Sequence, residues 1–156
     1  DVAQGTIADC LARIEALRDR KGEVKPAQGR DLLRRTTWEN LLVARTDASL
    51  KRVVDTIARI RSEMLPKVSV DGPRELVEAL ELQNMLVAAE IKARAALTRT
   101  ESRGPHWRTD YPIRNDRDWL KAITVKRVGG QMSLGTVVLD PTWKEMEREV
   151  FKGFWA

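Results

Sequence analysis

Hydrophobic positions recur at helical spacing through roughly the first hundred residues and then switch to alternation. Ile7, Leu11, Ile14 and Leu17 fall four and three apart, which predicts an amphipathic helix over Val2–Arg20 closed by Gly22. The Lys21–Gly29 stretch, KGEVKPAQG, has the glycine and proline of a connector. Leu33, Trp38, Leu41 and Leu42 then fall largely on one side of a second helix over Arg30–Arg45. Asp47 is the expected N-cap of a third, its carboxylate facing the free amides of the first turn. Leu50, Val53, Val54, Ile57, Ile60, Met64 and Leu65 form the most regular stripe in the chain, and Pro66 ends it because proline has no amide to continue the helix. After the turn SVDGP, Pro73 suits the first turn of a long helix reaching about Glu101 through Leu76, Leu80, Met85, Ala88, Ile91, Ala95 and Ala96.

Beyond Pro112 the period changes. DWLKAITVKRV (Asp118–Val128) alternates and turns β-branched, Gly129-Gly130 reads as a turn, and MSLGTVVLD (Met132–Asp140) reads as a second strand. The expected fold is mainly α: a three- to four-helix bundle with a small C-terminal β-hairpin near 118–139. The last stretch, 141–156, reads as a short helix with an aromatic end. No fixed-period repeat or low-complexity segment appears.

Composition narrows the options. With 42% apolar and 33% charged residues, 156 residues can form one folded domain with its own core. The net charge of +5 permits nucleic-acid binding, so a basic helical nucleic-acid-binding module is the alternative reading. However, 23 acids lie among 28 basic residues, which is the pattern of a solvated mixed surface rather than a segregated basic face. The single cysteine, Cys10, cannot form an internal disulfide, which favours a reducing, cytoplasmic setting. No run of 18 apolar residues and no signal-peptide order is found, so direct membrane insertion is not expected.

Candidate chemistry concentrates in ESRGPHWRTDYP (Glu101–Pro112), which holds the only histidine. No GxGxxG or GK[ST] loop occurs, and one Cys with one His falls short of a zinc set. His106 is either an acid–base group or a hydrogen-bonded structural residue. Arg99, Arg103, Arg108, Arg114 and Arg117 either offer an anion site or pair with the interleaved Glu101, Asp110, Asp116 and Asp118. Trp107, Tyr111 and Trp119 among these arginines match the composition of a buried interface centre. The segment is therefore read as a docking elbow built from Arg99, Ser102, Arg103, His106, Trp107, Arg108, Asp110 and Tyr111, with no catalytic, cofactor-binding or metal-binding residue assigned. Gly104 is expected to supply the positive φ of a helix C-terminal cap, and Pro105 to prevent the helix resuming.

The order of these segments is itself informative. LLRRTTWENLLVART (Leu32–Thr46), followed by ELQNMLVAAEIKARAALTRTESRGPHWRTDYPIRNDRDWLKAITVKR (Glu81–Arg127), resembles the C-terminal domain of the fumarate reductase and succinate dehydrogenase flavoprotein family. The wider group includes L-aspartate oxidase and the adenylylsulfate reductase flavoprotein. The matching elements are the W-E-N helix, the L-x-N-M-L helix, the ESRG-x-H-x-R-x-D-Y-P stretch and D-x-x-W-L-K. Pro105 stands where many relatives carry a small residue. The resemblance implies a parent oxidoreductase that binds FAD and passes a hydride between flavin and a small dicarboxylate, or does related flavin chemistry. It places the dinucleotide fold and active-site residues upstream, so no cofactor is expected in this chain. It also implies a linking helix over 1–22, the helical domain with its hairpin over 30–140 and an unmatched tail over 141–156. The expected partners are the upstream flavin-binding domain and an iron–sulfur subunit, and the chain alone is expected to be inactive.

Overall fold

Three helices carry the main core of the computed structural model, which describes residues 2–18 and 20–139. They are α2 (Pro26–Asn40), α3 (Asp47–Arg59) and α4 (Pro73–Thr98), each packed on the other two. Leu33 of α2, Leu50, Val53 and Ile57 of α3, Ile60 just beyond it, and Leu82 and Leu86 of α4 are essentially without solvent contact. Removing these side chains from water is the principal force holding the bundle together. The mainly α class with a C-terminal hairpin is as expected. The expected tail helix over 141–156 lies outside the described residues.

Several boundaries move, each for a local reason. Thr46, not Asp47, caps α3: its Oγ1 accepts the Ser49 amide at 3.0 Å while Ser49 Oγ accepts the Thr46 amide at 2.9 Å. Asp47 sits one residue inside, still near the positive helix end. The stretch after α3 continues as a π turn (Ile60–Met64) and a short 3-10 turn (Leu65–Lys67) that absorbs Pro66. α2 starts four residues early because Pro26 suits an N-terminal position, and ends at Asn40 because Ala44–Arg45 leave the helix as strand β1. Trp38, expected to face inward, is 73% exposed near its end.

α4 ends at Thr98, three residues short of the expected Glu101. Its buried row is Ala79, Leu82, Leu86, Glu90, Ala93 and Ala96, whereas Ala88 and Ile91 face out. An alanine-rich helix with apolar residues on several sides does not reveal from spacing alone which side is covered.

β1 pairs in parallel with β2 (Trp107–Arg108), matching Ala44 to Trp107 and Arg45 to Arg108. The one-turn helix α5 (Asp116–Trp119) occupies the expected start of the hairpin, with Asn115 Oδ1 accepting the Asp118 amide at 3.1 Å. β3 (Lys121–Val128) and β4 (Gln131–Val138) then pair antiparallel. Their turn needs positive φ at both central residues, and Gly129 and Gly130 supply +56° and +81°.

α1 (Val2–Leu17) is exposed at most of its described side chains. Leu17 is buried in a small second core with Val68, Val70 and Ala79, but Ile7 and Leu11 are exposed. The chain then runs against the 65–70 segment. The amides of Glu23 and Val24 both donate to Lys67 O, and Ser69 N donates to Val24 O. A Cβ on Gly22 would lie 2.1 Å from Lys67 O, a backbone atom that cannot swing away. Gly22→Ala is therefore expected to cost about 1–3 kcal/mol, read as a lower urea midpoint.

Candidate functional site: the polar elbow after the long helix

The polypeptide leaving α4 folds back in a compact elbow over residues 99–118. Its innermost group is the Glu101 carboxylate, which has no solvent exposure. Oε1 accepts from Arg99 Nη1 at 2.5 Å and Arg103 Nε at 2.8 Å, and Oε2 accepts from the Asn115 amide at 2.6 Å. Burial pushes the acid toward its neutral form, but the Arg103, Asn115 and Arg99 donors outweigh that and hold its pKa below the usual range. Arg103 also reaches Asp116 at 2.6 Å, where Arg114 Nε joins at 2.9 Å.

The second centre is Arg108, only 1% exposed. Its Nε and Nη2 form a fork onto Asp110 at 2.8 and 2.7 Å, and Nη1 donates to Ala96 O at 2.8 Å. Asp110 in turn accepts the Asp47 amide at 2.8 Å. The pair therefore bridges two helix termini with matched charges: a cation at the negative end of α4 and an anion at the positive end of α3. Arg108 holds the Asp110 carboxyl well below the ordinary carboxylate range. The Tyr111 ring lies 4.9 Å from the Arg108 guanidinium, and Arg99 stacks at 5.1 Å on Trp119.

Ser102 Oγ accepts the Arg108 amide at 2.8 Å and donates to Tyr111 O at 2.8 Å, fixing the loop from within. Gly104 has the anticipated positive φ of +52°, but it does not cap α4, whose C-cap is Arg99. It makes the two-residue turn with Pro105 that lets Arg103 and His106 exchange backbone hydrogen bonds at 2.8 and 2.9 Å.

His106 locks this turn onto β1. Its Nδ1 lies 3.1 Å from Arg45 Nη1 and its Nε2 3.4 Å from Arg99 O. An arginine can only donate, so Nδ1 is the acceptor and the ring is neutral with its proton on Nε2. Burial lowers its pKa; the hydrogen bond to Arg99 O opposes this, and the charges of Arg45, Arg99 and Arg108 add to the lowering. The unfolded chain takes up the proton first, so this contribution to stability is complete above about pH 6.5 and lost as pH falls below it. His106→Gln is expected to flatten that part of the stability curve, measured as urea midpoints between about pH 8 and 5.

The elbow thus gathers all eight of its expected residues into one unit and pairs Arg99, Arg103, Arg108 and Arg114 with Glu101, Asp110 and Asp116, while Asp118 bonds to Asn115 instead. Ser102 and Arg108 lie inside, Arg99, Arg103 and His106 are partly buried, and Trp107 and Tyr111 are 44% and 42% exposed. Arg117 is exposed, and Cys10 is exposed on α1. Among the described residues no cluster of three or more His, Cys, Asp or Glu is placed to hold a metal ion, and no helix is long and apolar enough to cross a membrane. Spacing alone assigns Arg45 to the end of α2, so it does not stand out in the sequence. The signal available is TDAS (Thr46–Ser49), a capping pattern that ends any helix before it.

Comparison with known proteins gives a consistent result. Residues 30–150 match the family described as fumarate reductase flavoprotein C-term. The succinate dehydrogenase flavoprotein subunit of Rickettsia bellii is 34% identical over 143 residues, covering 89% of this chain and 23% of that protein. The 8-methylmenaquinol:fumarate reductase flavoprotein subunit of Wolinella succinogenes is 30% identical over 148 residues, covering 91% of this chain and 23% of that protein. Among solved structures, a mutant FrdA of the E. coli quinol fumarate reductase superposes with a TM-score of 0.78 at 25% identity, over 87% of this chain and 24% of that one. The chain therefore spans just under a quarter of the length of these relatives.

Proposed function

Since the chain belongs to the fumarate reductase flavoprotein C-terminal family, we propose that it is a structural domain seating against the flavin-binding domain of an FAD-dependent oxidoreductase. The observation that carries this reading is the division of labour in the elbow. The charges of Arg99, Glu101, Arg103, Arg108 and Asp110 are matched internally, and the Arg108–Asp110 pair braces α3 against α4, while apolar side chains on the adjoining segments stay uncovered. Val43 and Ile113 are 65% and 78% exposed, beside the outward Trp107 and Tyr111, and Trp38 stands on the last turn of α2. A rigid mount with aromatic contacts is what an interface centre requires, since pre-ordered side chains lose little entropy on docking. Of the eight elbow residues, Trp107 and Tyr111 would make contact, and Arg99, Ser102, Arg103, His106, Arg108 and Asp110 would hold them in place.

α1, with Ile7 and Leu11 bare, would be the linking helix (1–22) whose apolar side the preceding domain covers. An iron–sulfur subunit is a further partner in this reading, and the setting is cytoplasmic. The described residues do not suit FAD. Among the described residues parallel pairing is limited to the two-residue β1–β2 pair and a single Val24–Val68 bridge, and the positive-φ glycines, Gly104, Gly129 and Gly130, lie in turns rather than in a loop feeding a helix. Nothing favours the nucleic-acid alternative: Arg99, Arg103, Arg108 and Arg114 are paired with acids and the relatives are flavoproteins. Titrating the isolated chain with FAD by flavin fluorescence is expected to show no saturation, and micromolar binding would overturn the proposed role.

A further inference from the structure

Between the C-terminal part of α4, β1, the 103–106 turn and β3 lies an open pocket of about 260 Å³. Ala95, Ala96 and Ile123 line it with apolar surface, and Arg45, Lys92, Arg99 and His106 complete it. Two of these four carry no free charge, because Arg99 is paired with Glu101 and His106 presents a neutral ring to Arg45.

Arg45 differs from the other arginine buried in the elbow. It is 7% exposed, yet its guanidinium meets only neutral acceptors: Leu41 O at 3.1 Å and His106 Nδ1 at 3.1 Å. Arg108, by contrast, is matched by Asp110. A buried guanidinium without a counter-charge carries a desolvation cost that neutral hydrogen bonds repay only in part. The negative end of α2, reached through its C-cap carbonyl Leu41 O, offsets part of that charge, while the carbonyls ending α4, Ala96 O, Leu97 O and Arg99 O, face Arg108. Lys92, on the same wall, has no acid within ion-pair distance among the described residues. The pocket therefore holds two cations that have no carboxylate partner among the described residues, above an apolar floor.

We infer that this pocket binds a carboxylate on a short aliphatic stem, with the carboxylate between Arg45 and Lys92 and the stem on Ala95, Ala96 and Ile123. The floor discriminates against phosphate, whose tetrahedral oxygens would be pressed on alanine and isoleucine without donors. With Arg45 Nε given to Leu41 O and Nη1 to His106, the remaining Nη2 donors are the ones a carboxylate oxygen would take. Such a group can belong to a free small acid or to a Glu or Asp side chain of a neighbouring chain. The inference stands on this pocket alone, independent of what covers Trp107.

The probe is sodium butyrate, titrated into the 156-residue chain at constant ionic strength, with thermal midpoint and the His106 ring resonances as readouts. Expected is a saturable rise in midpoint with a shift of the His106 signals, abolished by Arg45→Met and weakened at least about threefold by Lys92→Ala. Lys92 is exposed, so that variant remains informative if Arg45→Met fails to fold. A response no greater than that to sodium chloride, equal saturation by inorganic phosphate, or binding unchanged in Lys92→Ala would each overturn the inference. Repeating the titration on a longer polypeptide carrying the flavin-binding domain separates the two sources. A retained response assigns the pocket to a free acid, and a lost one to a side chain already seated there.

Discussion

Replacing Arg108 with leucine is expected to lower the unfolding free energy by about 3–5 kcal/mol, because it strands charge and opens two helix ends together. Asp110 would keep its contact with the Asp47 amide at the start of α3 but lose both guanidinium bonds. Ala96 O, at the end of α4, would lose a charged donor in a buried place. Equilibrium urea unfolding would measure the loss. A double-mutant cycle with Asp110→Asn should return a coupling above about 1 kcal/mol, since the two groups act as one bridge. Independent, additive losses would mean that Arg108 matters only as packing volume.

Glu101→Gln should cost about 2–4 kcal/mol, or roughly 5–15 °C in thermal midpoint. Glutamine keeps the size and one acceptor oxygen. It removes the charge that Arg99 and Arg103 share and sets an amide nitrogen against their guanidinium groups or the Asn115 amide. The cost falls below that of a fully enclosed triad because Arg103 retains some solvent contact. Because the folded-state pKa of Glu101 is depressed, its contribution is present above about pH 4.5 and lost as pH falls further. In the Gln variant that part of the acid sensitivity should disappear.

Much of this is legible in the residues. The stripe from Leu50 to Leu65 has one apolar side, so its spacing and its burial agree closely. The Gly129-Gly130 turn is equally clear, because a Gly-Gly pair takes positive φ at two successive positions without strain. α4 is clear in extent but not in facing, because alanines and valines lie all round it. β1 cannot be read at all: a two-residue strand has no periodicity, and its partner, Trp107–Arg108, lies over sixty residues away.

The elbow is half legible. The alternation of Arg with Asp and Glu signals pairing, and the aromatics signal a surface. Nothing in the residue order shows that the two sets separate, with ion pairs turned inward and Trp107 and Tyr111 outward. That separation depends on strand alternation across β1 and β2, where Arg45 and Arg108 share the inner side. The unmatched charge of Arg45 follows from the same pairing.

The docking role is tested most directly by hydroxyl-radical footprinting of Trp38, Trp107 and Tyr111. The comparison is between the 156-residue chain and a longer polypeptide that carries the flavin-binding domain. If the braced elbow exists to seat this domain, oxidation of Trp107 and Tyr111 should fall by about tenfold in the longer polypeptide, as expected for side chains moved to a dry interface centre. Equal oxidation rates in the two would show that no neighbour covers them and would contradict the docking role.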